Sequence, residues 1–160
     1  MIILSTCGEV VRGPGKKQYY QELRLNTSDG WLIAASYYDS PSDKGLILLH
    51  MLAKNRHTFD DLADHLAGDY KVISIDFRGH GDSDGEYLDL TEADFQAMIE
   101  DVKVAAWYLQ EKQGVNSSDI SLAGASIGAN QALVYASTHP VDKLVLISPG
   151  SRLRGIDISR

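Results

Sequence analysis

One serine stands in a sequence setting that could make it a nucleophile. It is the central residue of Gly124-Ala125-Ser126-Ile127-Gly128, which matches the pattern Gly-x-Ser-x-Gly. A serine hydroxyl attacks a carbonyl carbon effectively only if a base accepts its proton and N–H groups stabilise the resulting oxyanion. Such a pattern matches by chance in about 5% of chains of this length, so its context must carry the argument.

The context of the motif fits that chemistry. An apolar run at 120–123 precedes it, and a helical pattern at 127–138 follows it. A tight turn between strand and helix would hold the hydroxyl clear of the sheet, with glycines removing Cβ atoms that would clash. The positive end of the helix would then lie beside the oxyanion. The alternative is that Ser126 only caps the helix and the glycines only turn the chain.

The elements that would position this serine follow from the hydrophobic pattern. Apolar runs without polar alternation are typical of parallel strands that are covered on both faces, and they occur at 46–49, 72–75, 120–123 and 144–147. Upstream, alternating residues 23–25 and the run 31–38 flank a Ser-Asp-Gly turn signal, which predicts an antiparallel hairpin.

Segments with helical spacing separate the strands, at 58–67, 92–113 and 127–138. Thr91 with Asp94 predicts a capping box, and Gly114 predicts the end of that helix. Strands alternating with helices predict an α/β fold, with a mostly parallel sheet, helices on both faces and the hairpin at its start. We assign residues 1–18 to a loose N-terminal segment and residues 19–160 to a single domain.

Two further segments, together with the serine motif, resemble a known superfamily. Leu-Ile-Leu-Leu-His-Met-Leu at 46–52 resembles the α/β-hydrolase strand that ends in His-Gly-x, and Asp-Phe-Arg-Gly-His-Gly-Asp-Ser at 76–83 resembles its Asp-x-Arg-Gly-x-Gly-x-Ser turn. Residues 144–150 resemble the strand after the nucleophile helix. The resemblance covers residues 20 to about 155 and is closest to esterases, lysophospholipases and dienelactone hydrolases. It implies the α/β-hydrolase fold without its last strand–helix units.

The resemblance also implies the site. Ser126 would be the nucleophile, and the backbone N–H groups of Ile127 and Leu52 would form the oxyanion hole. Asp76 and Arg78 would hold the turn at 76–83 by hydrogen bonds. One position departs from the family, because a methionine stands where glycine is usual after the first parallel strand, which leaves the path of that loop open. The residues that would shape the pocket are His50, Met51, Gly124 and Gly128.

The acid and the base of a serine hydrolase are harder to find in this sequence. The family order is serine, then aspartate or glutamate, then histidine. The last histidine, His139, ends the helix that Ser126 begins, and Asp157 is the one carboxylate after the last strand pattern. We therefore expect the acid and base to be missing, with about two strand–helix units, and strand 144–147 to form an exposed edge that could self-associate.

The remaining histidines have structural explanations at this stage. His50 could lie near the pocket mouth, either as a local base or as a stabiliser of the oxyanion loop. His57, His65 and His80 are interpreted as loop or helix-surface residues. No pair or trio has metal-ligand spacing on one element, so we predict no metal and no cofactor.

Composition excludes several classes of function. The net charge is -7 and no basic run exceeds Lys16-Lys17, so nucleic acid is not an expected partner. No apolar stretch approaches the roughly 18 residues that span a bilayer. Cys7 is the single cysteine, which excludes an internal disulfide. Residues 1–8 resemble the tail of a lipoprotein signal but are short for one, so we expect a cytoplasmic protein, or a lipoprotein, periplasmic or cell-surface protein if the true start lies upstream of Cys7.

Three hypotheses follow from the sequence. The first is a serine hydrolase of small carboxylic esters, thioesters or amides that acts through an acyl-serine intermediate, present here as an incomplete copy. The second is a non-catalytic binding or scaffold protein on the same fold. The third is an unrelated doubly wound protein with a coincidental serine motif.

Overall fold

The computed structural model describes residues 10–11 and 20–158. Cys7 and the rest of the lipoprotein-like segment lie outside them. The main sheet has seven strands, and their order across it is β1-β2-β3-β5-β4-β6-β7. Their bounds are β1 Val10–Val11, β2 Tyr20–Asn26, β3 Leu32–Tyr38, β4 Gly45–Leu49, β5 Lys71–Ile75, β6 Ile120–Ala125 and β7 Leu144–Ile147.

The sheet is antiparallel on one side and parallel on the other. β2 and β3 form the predicted hairpin, and β1 and β5 also pair antiparallel with their neighbours in this half. β5, β4, β6 and β7 are parallel. The hairpin turns at Gly30, whose φ of 94° favours glycine, and the Thr27 N–H donates to the Trp31 carbonyl at 2.9 Å. The predicted mixed sheet is therefore confirmed.

Helices cover both faces of the sheet. Ala63 of the first helix is buried with Leu48 on one face. On the other face, Val102 and Ala132 from two later helices are buried with Ile47. Neighbouring residues 47 and 48 point to opposite faces, as the alternation along a strand requires. The helices are α1 Asp60–Leu66, α2 Glu92–Ala97, α3 Ile99–Gln113 and α4 Ile127–Ala136.

The helix predicted over 92–113 is capped as expected but is not continuous. The Thr91 hydroxyl accepts from the Asp94 N–H at 3.3 Å, the Asp94 carboxylate accepts from the Thr91 N–H at 2.8 Å, and Gly114 ends α3 with a φ of 71°. The prediction is wrong at Met98, where α2 ends and α3 begins.

A side chain from another helix explains this break. The Gln131 amide on α4 donates to the Phe95 carbonyl at 2.8 Å. In a continuous helix that carbonyl would accept from the backbone N–H of residue 99. The contact is non-local, so the periodicity of 92–113 could not reveal it.

Two other elements differ from the predicted pattern. The segment predicted as one helix over 58–67 opens with a 3₁₀ turn, Arg56–Phe59, before α1. β7 is covered on one face only, because Val145 and Ile147 are about half exposed, at 51% and 48%. A short hairpin follows β7, with strands β8 Arg152–Leu153 and β9 Ile156–Asp157.

Candidate active site

Ser126 lies at the junction of β6 and α4 in a conformation that few serines adopt. Its φ is 52° and its ψ is -117°, a combination outside the regions that residues with a side chain normally occupy. It is partly exposed, whereas the residues on both sides of it are buried. Its side chain makes no capping hydrogen bond to α4, so the helix-cap alternative does not describe its role.

The two glycines of the motif permit a close approach of backbones. A Cβ on Gly124 would lie 2.3 Å from the Gly128 carbonyl oxygen, and a Cβ on Gly128 would lie 2.2 Å from the Leu49 carbonyl oxygen. The first turn of α4 therefore packs directly on the ends of β6 and β4. The backbone N–H of Ser126 also donates to the Ile147 carbonyl of β7 at 2.9 Å, which fixes the turn from the other side.

The loop after β4 holds the second predicted oxyanion donor. The Lys54 N–H donates to the Met51 carbonyl at 3.1 Å, which closes a turn around Leu52. The positive φ of this turn, 58°, belongs to Ala53 and not to Met51, so the methionine in place of the family glycine is not strained there. The N–H groups of Leu52 and Ile127 donate to no residue that the structure describes.

His50 is fully buried, and backbone groups occupy both of its ring nitrogens. Nδ1 lies 2.7 Å from the Met51 carbonyl and Nε2 accepts from the Phe77 N–H at 3.1 Å, which assigns the proton to Nδ1. Burial lowers the pKa of His50 to about 4. With no free nitrogen and no exposure, His50 links the loops after β4 and β5 and is not a base for Ser126.

His80, interpreted as a loop or helix-surface residue, lies in the turn at 76–83, and its side chain there is buried. It is 3% exposed, its ring stacks on Tyr87 at 5.3 Å between centroids, and it lies 5.1 Å from the His50 ring. The Arg78 carbonyl accepts from Nδ1 at 2.9 Å. Gly79, with a φ of 72°, turns the chain inward at this point, and burial lowers the pKa of His80.

Asp76 and Arg78 hold the turn at 76–83 as predicted. The Asp76 carboxylate accepts from the Asp82 N–H at 2.9 Å. Arg78 is buried, and its guanidinium pairs with Asp101 of α3 and with Asp29 in the hairpin turn, both at 2.7 Å. These ion pairs tie the turn at 76–83 to the hairpin turn and to α3.

Sequence reasoning missed Arg56, the other buried arginine of this region. It is 3% exposed, and its guanidinium forms an ion pair with the Asp76 carboxylate. Burial alone would lower its pKa, but the contacts with Asp76 and Asp82 outweigh that effect and raise it. No local sequence pattern marks this residue, because its partners lie about 20 or more positions away.

Among residues 20–158, no histidine or carboxylate is hydrogen-bonded to the Ser126 hydroxyl. The Ser126 hydroxyl has no hydrogen-bond partner in that range. His139 stacks on Tyr135 with ring centroids 4.3 Å apart, at the far end of α4. Asp157 forms an ion pair with Arg152 at 3.0 Å in the β8–β9 hairpin. Neither is placed to activate the serine.

The described part of the chain has neither a metal-ligand cluster nor a membrane-spanning helix. No group of three or more His, Cys, Asp and Glu side chains is arranged there to hold a metal ion. No helix there is long and apolar enough to cross a membrane.

Comparison with known proteins gives the family. Residues 40–157 match the family described as serine aminopeptidase, S33. Among curated proteins, the chain is 30% identical over 112 residues to a pimeloyl-[acyl-carrier protein] methyl ester esterase of Neisseria meningitidis, covering 69% of this chain and 31% of the relative. It is 31% identical over 125 residues to the magnesium-chelatase 30 kDa subunit of Rhodobacter capsulatus, covering 78% and 40%.

Solved structures agree with the sequence relatives. An esterase of Pyrococcus furiosus superposes with a TM-score of 0.75 at 26% identity, covering 91% of this chain and 56% of the esterase. The chain spans 30–40% of the length of the curated relatives that it matches. The matched region contains Ser126, both glycines of the motif and the loops on either side. The chain belongs to the serine aminopeptidase S33 family of α/β-hydrolases.

Proposed function

We propose that this chain carries the nucleophile and the oxyanion hole of a serine hydrolase for carboxylic esters, thioesters or amides. The observation that supports it is the strained Ser126 between β6 and α4, with two unoccupied backbone N–H groups on adjacent elements. The esterase relatives in the family favour an acyl ester as the substrate.

The proposed reaction is acyl transfer through Ser126. Its Oγ bonds to the carbonyl carbon of the substrate while the carbonyl electron pair moves to oxygen, where the N–H groups of Ile127 and Leu52 stabilise the charge. Collapse of this intermediate breaks the bond to the leaving alcohol, thiol or amine and leaves an acyl-serine, which water then hydrolyses. The serine proton requires a base, and none is in place among residues 20–158.

Prolonged labelling with a fluorophosphonate at alkaline pH tests the proposal, because hydroxide can then accept the serine proton in place of the missing base, while phosphonylation still requires an accessible serine and a preformed oxyanion hole. We expect mass spectrometry to find the label on Ser126 and to find none in Ser126→Ala. Ser148→Ala is the matched control, since Ser148 is also exposed and has a φ of 50° at the end of β7. It should label as the unsubstituted chain does.

Turnover of an activated ester gives an independent measurement. Loss of the base costs about 10⁶ in kcat in a well-studied serine hydrolase, so the chain should hydrolyse a p-nitrophenyl ester very slowly. Fast turnover that Ser126→Ala abolishes would require a base within the chain and would contradict its absence from residues 20–158.

A second candidate is a non-catalytic binding or scaffold protein on this fold. It is favoured by the unpartnered hydroxyl of Ser126 and by similarity to a protein named as a chelatase subunit. Absence of fluorophosphonate labelling in a folded chain would favour this candidate over the hydrolase.

A further inference from the structure

The loop between β4 and α1 is held mainly at its two ends. His50 fixes its start through the Met51 carbonyl, at 2.7 Å. The residues that follow Leu52, at 53–55, are exposed and bury little of their own surface. A loop with so little packing keeps one conformation only if both ends are anchored. Its far end, at residue 56, must therefore be anchored as well.

Arg56 is that anchor, and it contacts two strands and the turn after β5. Its backbone N–H donates to the Asp76 carboxylate at 2.5 Å, and its guanidinium binds the same carboxylate and that of Asp82, the latter at 2.8 Å. Its Nε donates to the Ser36 hydroxyl at 3.1 Å, and its carbonyl accepts from the Ser74 hydroxyl at 2.9 Å. Five contacts with four groups thus fix one residue.

The contacts with Asp76 make this anchor hard to replace. One carboxylate receives the main chain and the side chain of Arg56 together, which fixes both the position and the direction of the backbone as it leaves the loop. Asp76 is fully buried, and a Cβ on Gly81 would lie 2.2 Å from its carboxylate, so the backbone of the turn packs closely against this acceptor. A lysine would keep the charge but not the fork of donors.

We infer that Arg56 is a positioning residue, which holds the end of loop 51–55 so that the Leu52 N–H stays directed at the oxyanion. The expected effect on the reaction of Ser126 rests on the proposed function. The expected effect on the conformation of loop 51–55 does not. Arg56 does not touch the reacting atoms. It acts through the Asp76 carboxylate on the loop that carries the donor.

Hydrogen exchange measures the structural part directly. The Lys54 N–H is protected by the Met51 carbonyl inside the loop, and the His80 N–H is protected by the Phe77 carbonyl in the neighbouring turn. In Arg56→Gln we expect exchange at Lys54 to accelerate at least about tenfold more than at the slowest amides of β4, which report global unfolding. Arg56→Lys keeps the charge and should give a smaller acceleration. It allows the measurement even if Arg56→Gln fails to fold.

Arg78→Gln is the matched control. Arg78 is an equally buried arginine with an aspartate partner, but it contacts Asp101 and Asp29 and not loop 51–55. Arg78→Gln should accelerate exchange at the His80 N–H. Exchange at the Lys54 N–H should change only as much as exchange at the slowest β4 amides, which report global unfolding. The inference would be overturned if exchange at the Lys54 N–H in Arg56→Gln accelerated no more than exchange at the slowest β4 amides. An equal acceleration at the Lys54 N–H in Arg78→Gln would overturn it as well.

Phosphonylation kinetics measure the chemical part. Loss of one oxyanion donor typically lowers a rate by about 10²–10³, so the limiting rate of labelling should fall about 10²-fold in Arg56→Gln. The probe concentration at half-saturation should not change, because the donor acts in the transition state. An equal loss in Arg78→Gln would contradict the chemical role. If the unsubstituted chain does not label, the proposed function fails, and exchange at Lys54 still decides whether Arg56 holds the loop.

Discussion

The α-carbon of Gly128 lies against the end of β4 with no room for a side chain. Alanine there would place its Cβ 2.2 Å from the Leu49 carbonyl oxygen, which is backbone and cannot rotate away. We expect Gly128→Ala to lower the free energy of unfolding by about 3 kcal/mol, at the upper end of overpacking effects. Because α4 must shift, fluorophosphonate labelling of Ser126 should fall as well. Urea unfolding and labelling measure the two effects.

Gly68→Ala is the control for this prediction. A Cβ at Gly68 meets nothing within 4 Å, and its φ is not in the left-handed region. Its free energy of unfolding should change by about 0.5 kcal/mol or less. If Gly128→Ala were as stable as Gly68→Ala, the contact between α4 and β4 would not be as close as described.

Single residues also mark the limit of sequence reasoning. The motif around Ser126 could be predicted because its cause is local, since strand, glycines and helix are consecutive. Asp76 and Arg78 were recognised because they belong to one short turn pattern. Arg56 and the burial of His80 were missed because their causes are contacts with segments about 20 or more positions away, and no window along the chain contains both partners.

At the scale of elements, His50 joins the loops after β4 and β5 only in its neutral form. Protonation of Nε2 would set two N–H groups against each other at Phe77, and burial lowers the pKa of His50 from the ordinary 6.5 to about 4. The unfolded chain therefore binds a proton first as the pH falls below about 6.5. We expect the folded state to lose stability between pH about 6.5 and 4, by about 1.4 kcal/mol per pH unit from this residue.

His50→Asn tests this contribution through urea unfolding at several pH values. The variant should be less stable than the unsubstituted chain at pH 7, and the difference should shrink by about 3 kcal/mol toward pH 4. His65→Asn, at an exposed position on α1, should keep the pH dependence of the unsubstituted chain. A stability difference between His50→Asn and the unsubstituted chain that is independent of pH would contradict the assignment of a neutral His50.

Elements also differ in how far the sequence predicts them. The order and type of the main strands and helices followed from runs of apolar residues, whose cause lies within each element. The break at Met98 did not, because the Gln131 side chain of α4 competes for the Phe95 carbonyl. The half-exposed β7 could be foreseen only from the resemblance, since its four residues look like those of a covered strand.

At the scale of the whole molecule, β7 has one backbone edge that no described strand pairs with. One edge of β7 pairs with β6, and no residue within 20–158 pairs with the other edge. Leu144–Ile147 contains no charged residue or proline, the usual devices that keep an edge strand from pairing with another chain. Two copies could therefore pair their β7 edges antiparallel about a two-fold axis. The net charge of -7 opposes this, so we expect weak, concentration-dependent dimers.

Two lysine variants distinguish association through β7 from association through other exposed apolar side chains. Val145→Lys places a charge on the exposed face of β7, and Leu88→Lys places one at a side chain that is 79% exposed outside any strand. Each changes the net charge from -7 to -6, so general repulsion is matched. In sedimentation velocity, Val145→Lys should remain monomeric where the unsubstituted chain dimerises, and Leu88→Lys should still dimerise. Equal effects of the two variants would assign association to scattered apolar surface, and a chain that stays monomeric at every concentration would contradict pairing through β7.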